Sequence, residues 1–554
     1  MKLKLLLLLA VLFSGLNLMA QGSDVKENWF NLDRASDGVQ GVSTEKMYQE
    51  LLKGKKSQTV IVAVIDSGVD AEHEDLKDIM WVNPGEIPGN GIDDDKNGYV
   101  DDIHGWNFIG GKDGRNVGHD SFEGTRLYKK YMQYFEGKDV TKLSKKDKAL
   151  YEKYQQLKSD IEAKQEELGG SVALYTGLLE GVRSLKTAMG KDEVTKEDLQ
   201  NFETEDPQQQ QALNVLNNII GDEGGKLSEV EEQLEGAVDY FSGQYEYGYN
   251  PDFDPRDIVG DNYADSYEKG YGNNDVKGPD AGHGTHVAGI IAAVRTNDIG
   301  IKGVADNVRI MSVRAVPDGD ERDKDVANAI IYAVDNGASI INMSFGKGYS
   351  WDKEAVDKAV KYALKNDVLL VHAAGNDAES NDTEPNFPND MFEKSGLFGP
   401  KKAANWLEIG ALSWKGGENS VANFSNYGKD NVDVFAPGVD ILSTTPDQSY
   451  DTYSGTSMAS PVAAGVAAVL RSYFPELSAE QVKEIIMESS DKQDIKVKKP
   501  GSKTLVPFSE LSVSGGVVNA YKAVEMAAKT KGKKKASGDA GAAGSGKAGD
   551  KTRA

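Results

Sequence analysis

The 554-residue chain contains no cysteine. That excludes disulfides, thiol nucleophiles, cysteine-bound metals and lipid attachment through a cysteine. Beyond the first twenty residues it lacks any apolar run long enough to cross a bilayer. Basic charge is scarce: 63 Lys and Arg stand against 88 Asp and Glu, a formal charge of −25. Such a surface repels phosphate, which excludes nucleic acid as a partner and favours acidic loops that hold divalent cations. What remains is a loop-rich globular composition, 39% hydrophobic with 60 glycines. The length exceeds one ordinary core, so a large domain with added parts is expected.

Residues 1–20 read as a secretory signal peptide. Lys2 and Lys4 supply the positive start, Leu5 to Phe13 the apolar centre, and Leu18-Met19-Ala20 the small-residue end. The mature protein is therefore expected to be exported, periplasmic or extracellular, with no transmembrane segment after signal removal. Without disulfides it needs another stabiliser, and bound calcium is one candidate. Residues 21–57 form an N-terminal extension, and the Lys/Gly/Ala-rich residues 528–554 read as a disordered basic tail.

Thr59 to Ile65 is a near-continuous β-branched run, the pattern of a parallel strand buried on both faces. It delivers Asp66 at its carboxyl end, where ligands gather in open α/β sheets. An acidic loop follows. Asp93, Asp95, Asn97 and Asp101, with Gly98 in sixth place, match the front half of a calcium-binding EF-hand loop. His104 holds the twelfth place, which excludes a complete EF-hand. A calcium loop of another geometry and a solvated acidic turn both stay open.

Residues 120–242 change character. Leu150, Tyr154, Leu157, Ile161 and Leu168 mark one helical stripe, and Leu174 to Met189 a second. Asp206-Pro207 opens a third helix and Ser228 a fourth. This segment is an all-α insertion that divides a large α/β domain into residues 58–119 and 243–527. In the second part, short apolar runs alternate with helices, which predicts βαβ units and a doubly wound, mostly parallel sheet with helices on both faces.

Two buried helices begin with reactive side chains. Gly282-His283-Gly284-Thr285-His286 opens one. The three-residue histidine spacing admits a metal pair, but no acidic helical partner completes it. Ser457, within Gly455-Thr456-Ser457-Met458-Ala459-Ser460-Pro461, opens the other. A serine there is either a helix cap or a nucleophile beside unpaired N–H groups that favour a developing oxyanion. Asp66, His283 and Ser457 follow one of the three known chain orders of the hydrolase triad. Ala373-Ala374-Gly375-Asn376 adds a strand end that carries an amide.

The segments around Asp66, His283 and Ser457 resemble the three signatures of the subtilisin-like (subtilase) serine peptidases. Asn423 to Gly428 and Val434 to Gly438 are similar to further blocks of that family. The resemblance implies a subtilisin-like fold and a secreted serine endopeptidase working through an acyl-enzyme. Ser457 would be nucleophile, His283 base, Asp66 its orienting carboxylate and Asn376 an oxyanion donor. No catalytic cofactor is implied; polypeptides are the substrates and a monomer is expected. Substrate backbone would pair with Ser344-Phe345-Gly346 and with Ala373-Ala374-Gly375. Phe387-Pro388 resembles a family cis-proline position, and Asp75 and Asn297 lie where the family builds a calcium site.

Three features depart from the family. Lys347 replaces a common glycine at the pocket rim, and more than two hundred residues separate Asp66 from His283. Residues 21–57 are too short for a folding pro-domain. The domain is therefore expected to fold unaided, and removal of about 122–241 to leave active enzyme. Two other functions compete. One is a catalytically silent subtilisin-fold scaffold that binds a partner through the insertion. The other is an esterase, for which the chain lacks the Gly-x-Ser-x-Gly elbow.

Overall fold

The computed structural model describes residues 25–220, 224–394 and 399–533. Residues 1–20, read above as a signal peptide, and residues 534–554 of the tail lie outside them.

Nine strands form the central sheet: β1 (Val60–Asp66), β2 (Gly105–Asn107), β3 (Val308–Arg314), β4 (Ile340–Met343), β5 (Leu369–Ala373), β6 (Trp406–Leu412), β7 (Val434–Pro437), β8 (Asp491–Lys492) and β9 (Gly516–Val517). Their spatial order is β8-β9-β7-β6-β5-β4-β1-β3-β2. All pairings are parallel except β8 with β9. The β-branched run of β1 is sealed from both sides, as a parallel strand demands. Val62 and Val64 join a core with the helices α5 (Gly282–Ala292) and α8 (Thr456–Tyr473). Ala63 and Ile65 enter a second core with α6 (Asp323–Asp335) and α7 (Lys353–Lys365). This is the doubly wound α/β sheet that the alternation predicted. β1 lies between β3 and β4, and β4 pairs with β5, so their carboxyl ends open along one edge.

Between β2 and α5 the chain leaves the sheet and builds helices α1 (Glu123–Phe135), α2 (Lys145–Met189), α3 (Pro207–Ile219) and α4 (Leu227–Gly243). Leu178, Val182, Leu185, Leu213, Leu216 and Leu234 bury one another in a separate apolar cluster. The two stripes read as separate helices are one 45-residue helix, α2. Gly169-Gly170 sits inside it. Mid-helix glycine costs roughly 1 kcal/mol relative to alanine, and the buried stripe on either side offsets that.

The extension is part of the fold. Trp29 and Phe30 are fully buried, Trp29 Nε1 donates to the Asp440 carbonyl, and Ala520 N donates to Val42 O. The first residues assigned to the tail also pack: Lys531 O and Lys533 N both bond the Gln481 side chain. Among the described residues no helix is long and apolar enough to cross a membrane.

Candidate active site

Asp66 ends β1, 2% exposed, with Oδ1 receiving the Ser67 N–H. The same oxygen meets His283 Nδ1 at 2.7 Å. His283 stands in the first turn of α5, which approaches β1 closely because Gly284 follows it. A Cβ on Gly284 would fall 2.2 Å from the Gly68 carbonyl. Burial pushes the His283 pKa down, but the Asp66 charge and hydrogen bond, aided by Asp280, outweigh it and hold it above its ordinary value. The imidazole keeps 38% of its side chain exposed, which leaves its other nitrogen open to the cleft. His286, three residues on, has a different role. Its Nε2 faces the carbonyls of Ile441 and Asp451, its ring stacks on Tyr453, and burial pushes its pKa down to about 3. It is a neutral packing residue that ties α5 to the Ile441–Tyr453 hairpin.

Ser457 is the second residue of α8, so its N–H has no carbonyl one turn earlier within the helix. Its Oγ donates to Ser344 O at 3.0 Å. No hydrogen bond among the described residues joins it to His283; the hydroxyl takes the nearest acceptor while no substrate competes. Pro461 explains how the serine is held. A proline has no N–H, so the Ser457 carbonyl one turn earlier lacks its helical donor. Ser344 Oγ fills the gap at 2.8 Å. A buried chain continues from there, Ser460 Oγ donating to Asn342 Oδ1 and Asn342 Nδ2 to Ser344 Oγ.

Asn376 follows β5. Its Oδ1 accepts from Thr456 N at 2.9 Å and from Thr456 Oγ1 at 3.1 Å. With the acceptor end occupied, Nδ2 donates to nothing among the described residues, and Asn376 lines the same cavity as Ser457. Ser344-Phe345-Gly346 and Ala373-Ala374-Gly375 leave the paired strands β4 and β5 side by side. Between them runs a cavity of about 920 Å³ that also reaches Asn376 and Ser457.

A profile described as the subtilase family (Peptidase S8) matches residues 57–505. The chain belongs to the subtilase family. It is 41% identical to a thermophilic serine proteinase of Bacillus sp. (strain AK1) over 225 residues, 40% of this chain and 49% of that one. Subtilisin DY of Bacillus licheniformis is 38% identical over 36% of this chain and 68% of its own length. Thermitase of Thermoactinomyces vulgaris is 36% identical over 44% and 75%. The chain thus spans about half the length of the first relative.

The cation-ligand candidates of this subtilase fall into two places. Asp75 is fully buried; Asn297 Nδ2 donates to its Oδ1 at 2.7 Å and Ile301 N to its Oδ2 at 3.2 Å. Burial raises its pKa despite those bonds. A buried carboxylate suits a hard cation, although Asn297 turns its amide nitrogen to Asp75 and its oxygen to Ile299 N. In the acidic loop only Asp95 of the four predicted ligands joins a convergent carboxylate group, with Glu86 and Asp102, all within 4.8 Å. Asp93 instead accepts from Asn97 N and Gly98 N, and Asp101 from Asn90 N and Gly91 N. Asn97 lies beside the group, its amide donating to Asp95 and Asp102. Burial pushes Asp102 up to about 6. Glu86 and Asp102 fall outside the predicted spacing, because the loop doubles back on Asn83, whose amide bonds both Asp95 and Asp102.

Lys347 borders the cavity, but its charge is turned inward. It is buried, with Nζ 2.8 Å from Asp323 and 3.8 Å from Glu123 of α1. Its backbone pairs with Phe387, whose bond to Pro388 is cis. Sequence reasoning missed Thr456, Asn342 and Asn386, the last donating to Ala373 O and Ala374 O. Thr456 and Ser460 stood in the quoted motif, so the motif itself was the signal. Asn342 and Asn386 had none.

Proposed function

We propose that the chain is an exported serine endopeptidase in which Ser457, His283 and Asp66 form the triad. Support comes above all from the 2.7 Å contact of Asp66 with His283 Nδ1. That bond fixes the tautomer and leaves Nε2 as the base. Ser457 Oγ rotates from Ser344 O, gives its proton to His283 and attacks the peptide carbonyl. The Asn376 amide and the Ser457 N–H receive the oxyanion. The protonated imidazole then gives its proton to the leaving amine, and water hydrolyses the acyl-enzyme by the same route in reverse. Substrate backbone anneals along Ser344 to Gly346 and Ala373 to Gly375.

Residues 1–20 direct export, to the periplasm or beyond. Calcium is structural: Asp75 with Asn297, and Asp95 with Glu86 and Asp102, would hold it, and bound cation would offset the repulsion of buried carboxylates. A fluorophosphonate probe should label the chain and not its Ser457→Ala variant, with casein turned over in preference to short-chain esters. An unlabelled but folded chain would point to a silent scaffold instead.

A further inference from the structure

The cavity beside Ser457 has a second wall that does not come from the sheet. α2 of the insertion lies across it and presents Asp160, Lys164 and Glu167, three residues spaced along one helical face. Glu321, Glu379 and Glu384 line the sheet side. The charges in this space do not balance. Lys164 pairs with Glu167 at 3.0 Å, and Lys347 with Asp323 at 2.8 Å. Asp160 accepts from the neutral Gln156 amide. Among the described residues no Lys or Arg stands within ion-pair distance of Asp160, Glu321, Glu379 or Glu384.

Glu321 is the most telling of these. It is 2% exposed, and its Oε1 is buried with no hydrogen-bond partner. Burial, with Asp320 beside it, pushes its carboxyl up to about 8 although Lys347 opposes this. A buried acceptor without a donor is costly, so the site is incomplete as it stands. Of Glu321, Lys347 Nζ bonds only the backbone carbonyl; a donor carrying positive charge would both satisfy Oε1 and favour the ionised carboxylate. It is not a bare metal ion, because among the described residues these carboxylates do not converge to ligand spacing. They are spread along the cavity, as suits a long side chain with its charge at the tip.

Building on the peptidase reading, we infer that this cavity receives a lysine or arginine side chain of the polypeptide substrate. Glu321 and Asp160 are its specificity-determining carboxylates, and the insertion is half of the recognition site. α2 thereby makes substrate choice depend on a segment that contributes nothing to the reacting atoms.

Paired peptides that differ only by lysine against norleucine, scanned through each position around the cut bond, test this. At one position the intact chain should favour lysine in kcat/KM by about tenfold or more, equivalent to about 1.4 kcal/mol. The preference should fall towards one in the surface double variant Asp160→Asn/Glu384→Gln and in Glu321→Gln. A lysine preference absent from the intact chain, or unchanged in the surface double variant, overturns the inference. Probe labelling of Ser457 in the intact chain separates the two levels. Labelling without lysine preference removes this inference alone, whereas absence of labelling removes the peptidase reading beneath it.

Discussion

Asn376 has its acceptor end bonded to Thr456 and lines the same cavity as Ser457. Asn376→Ala should therefore lower kcat about 10²–10³-fold, or roughly 2.7–4 kcal/mol, the loss measured for the equivalent amide in subtilisin. In the proposed mechanism the amide acts on the oxyanion, so KM should change little; steady-state kinetics on a peptide substrate reads the split. His283 sets the pH dependence. It must be neutral to accept a proton, and, against burial, Asp66 holds its pKa above the ordinary imidazole value. The kcat/KM should rise with pH through a midpoint above that of a free imidazole. In Asp66→Asn the raising charge is gone while burial remains, so the residual activity should show a lower midpoint. An unchanged midpoint would dissociate that carboxylate from the base.

The elements divide into those legible from the chain and those fixed by distant partners. β1 ending at Asp66, α5 opening at His283 and α8 opening at Ser457 follow from local pattern, since each is a short apolar run with a polar terminus. Lys347 could not be read that way. Its neighbours in sequence are glycines, and its ion partners lie on α1 and α6. Glu86 escaped the loop spacing for the same reason. Lys347→Met should leave Asp323 buried without its cation, whereas Glu123 keeps Arg126; the cost should be about 3–5 kcal/mol, seen as a lower denaturant midpoint. The ion network also revises how the insertion can be trimmed. Excising 122–241 removes Glu123 and Arg126, which pair with Lys347 and Asp120, and should destabilise the remainder. α2 comes back to the chain at Gly169, where an added Cβ would sit 3.3 Å from the Tyr245 ring. Replacing 170–243 with a short linker should keep the fold, because the apolar cluster of α3 and α4 leaves as a unit. Thermal melts of the two deletions would separate these outcomes.

At the scale of the molecule, a domain without disulfides gathers carboxylates at Asp75 and at Glu86, Asp95 and Asp102. Calcium at a hundred times its Kd would add about 2.7 kcal/mol to a single site. A chelator should lower Tm measurably, and Asp75→Ala should remove part of that response; calorimetry with and without calcium checks both. The sheet and the order of its reactive ends were readable because they repeat a local pattern, whereas the two-walled cavity arises only when the insertion folds back on the sheet. The prolyl gap in α8 reaches furthest of all. By bolting the segment after β4 to the main chain of Ser457 through one oxygen, it gives the proposed peptidase a single datum point, from which a peptide would be both gauged and cut.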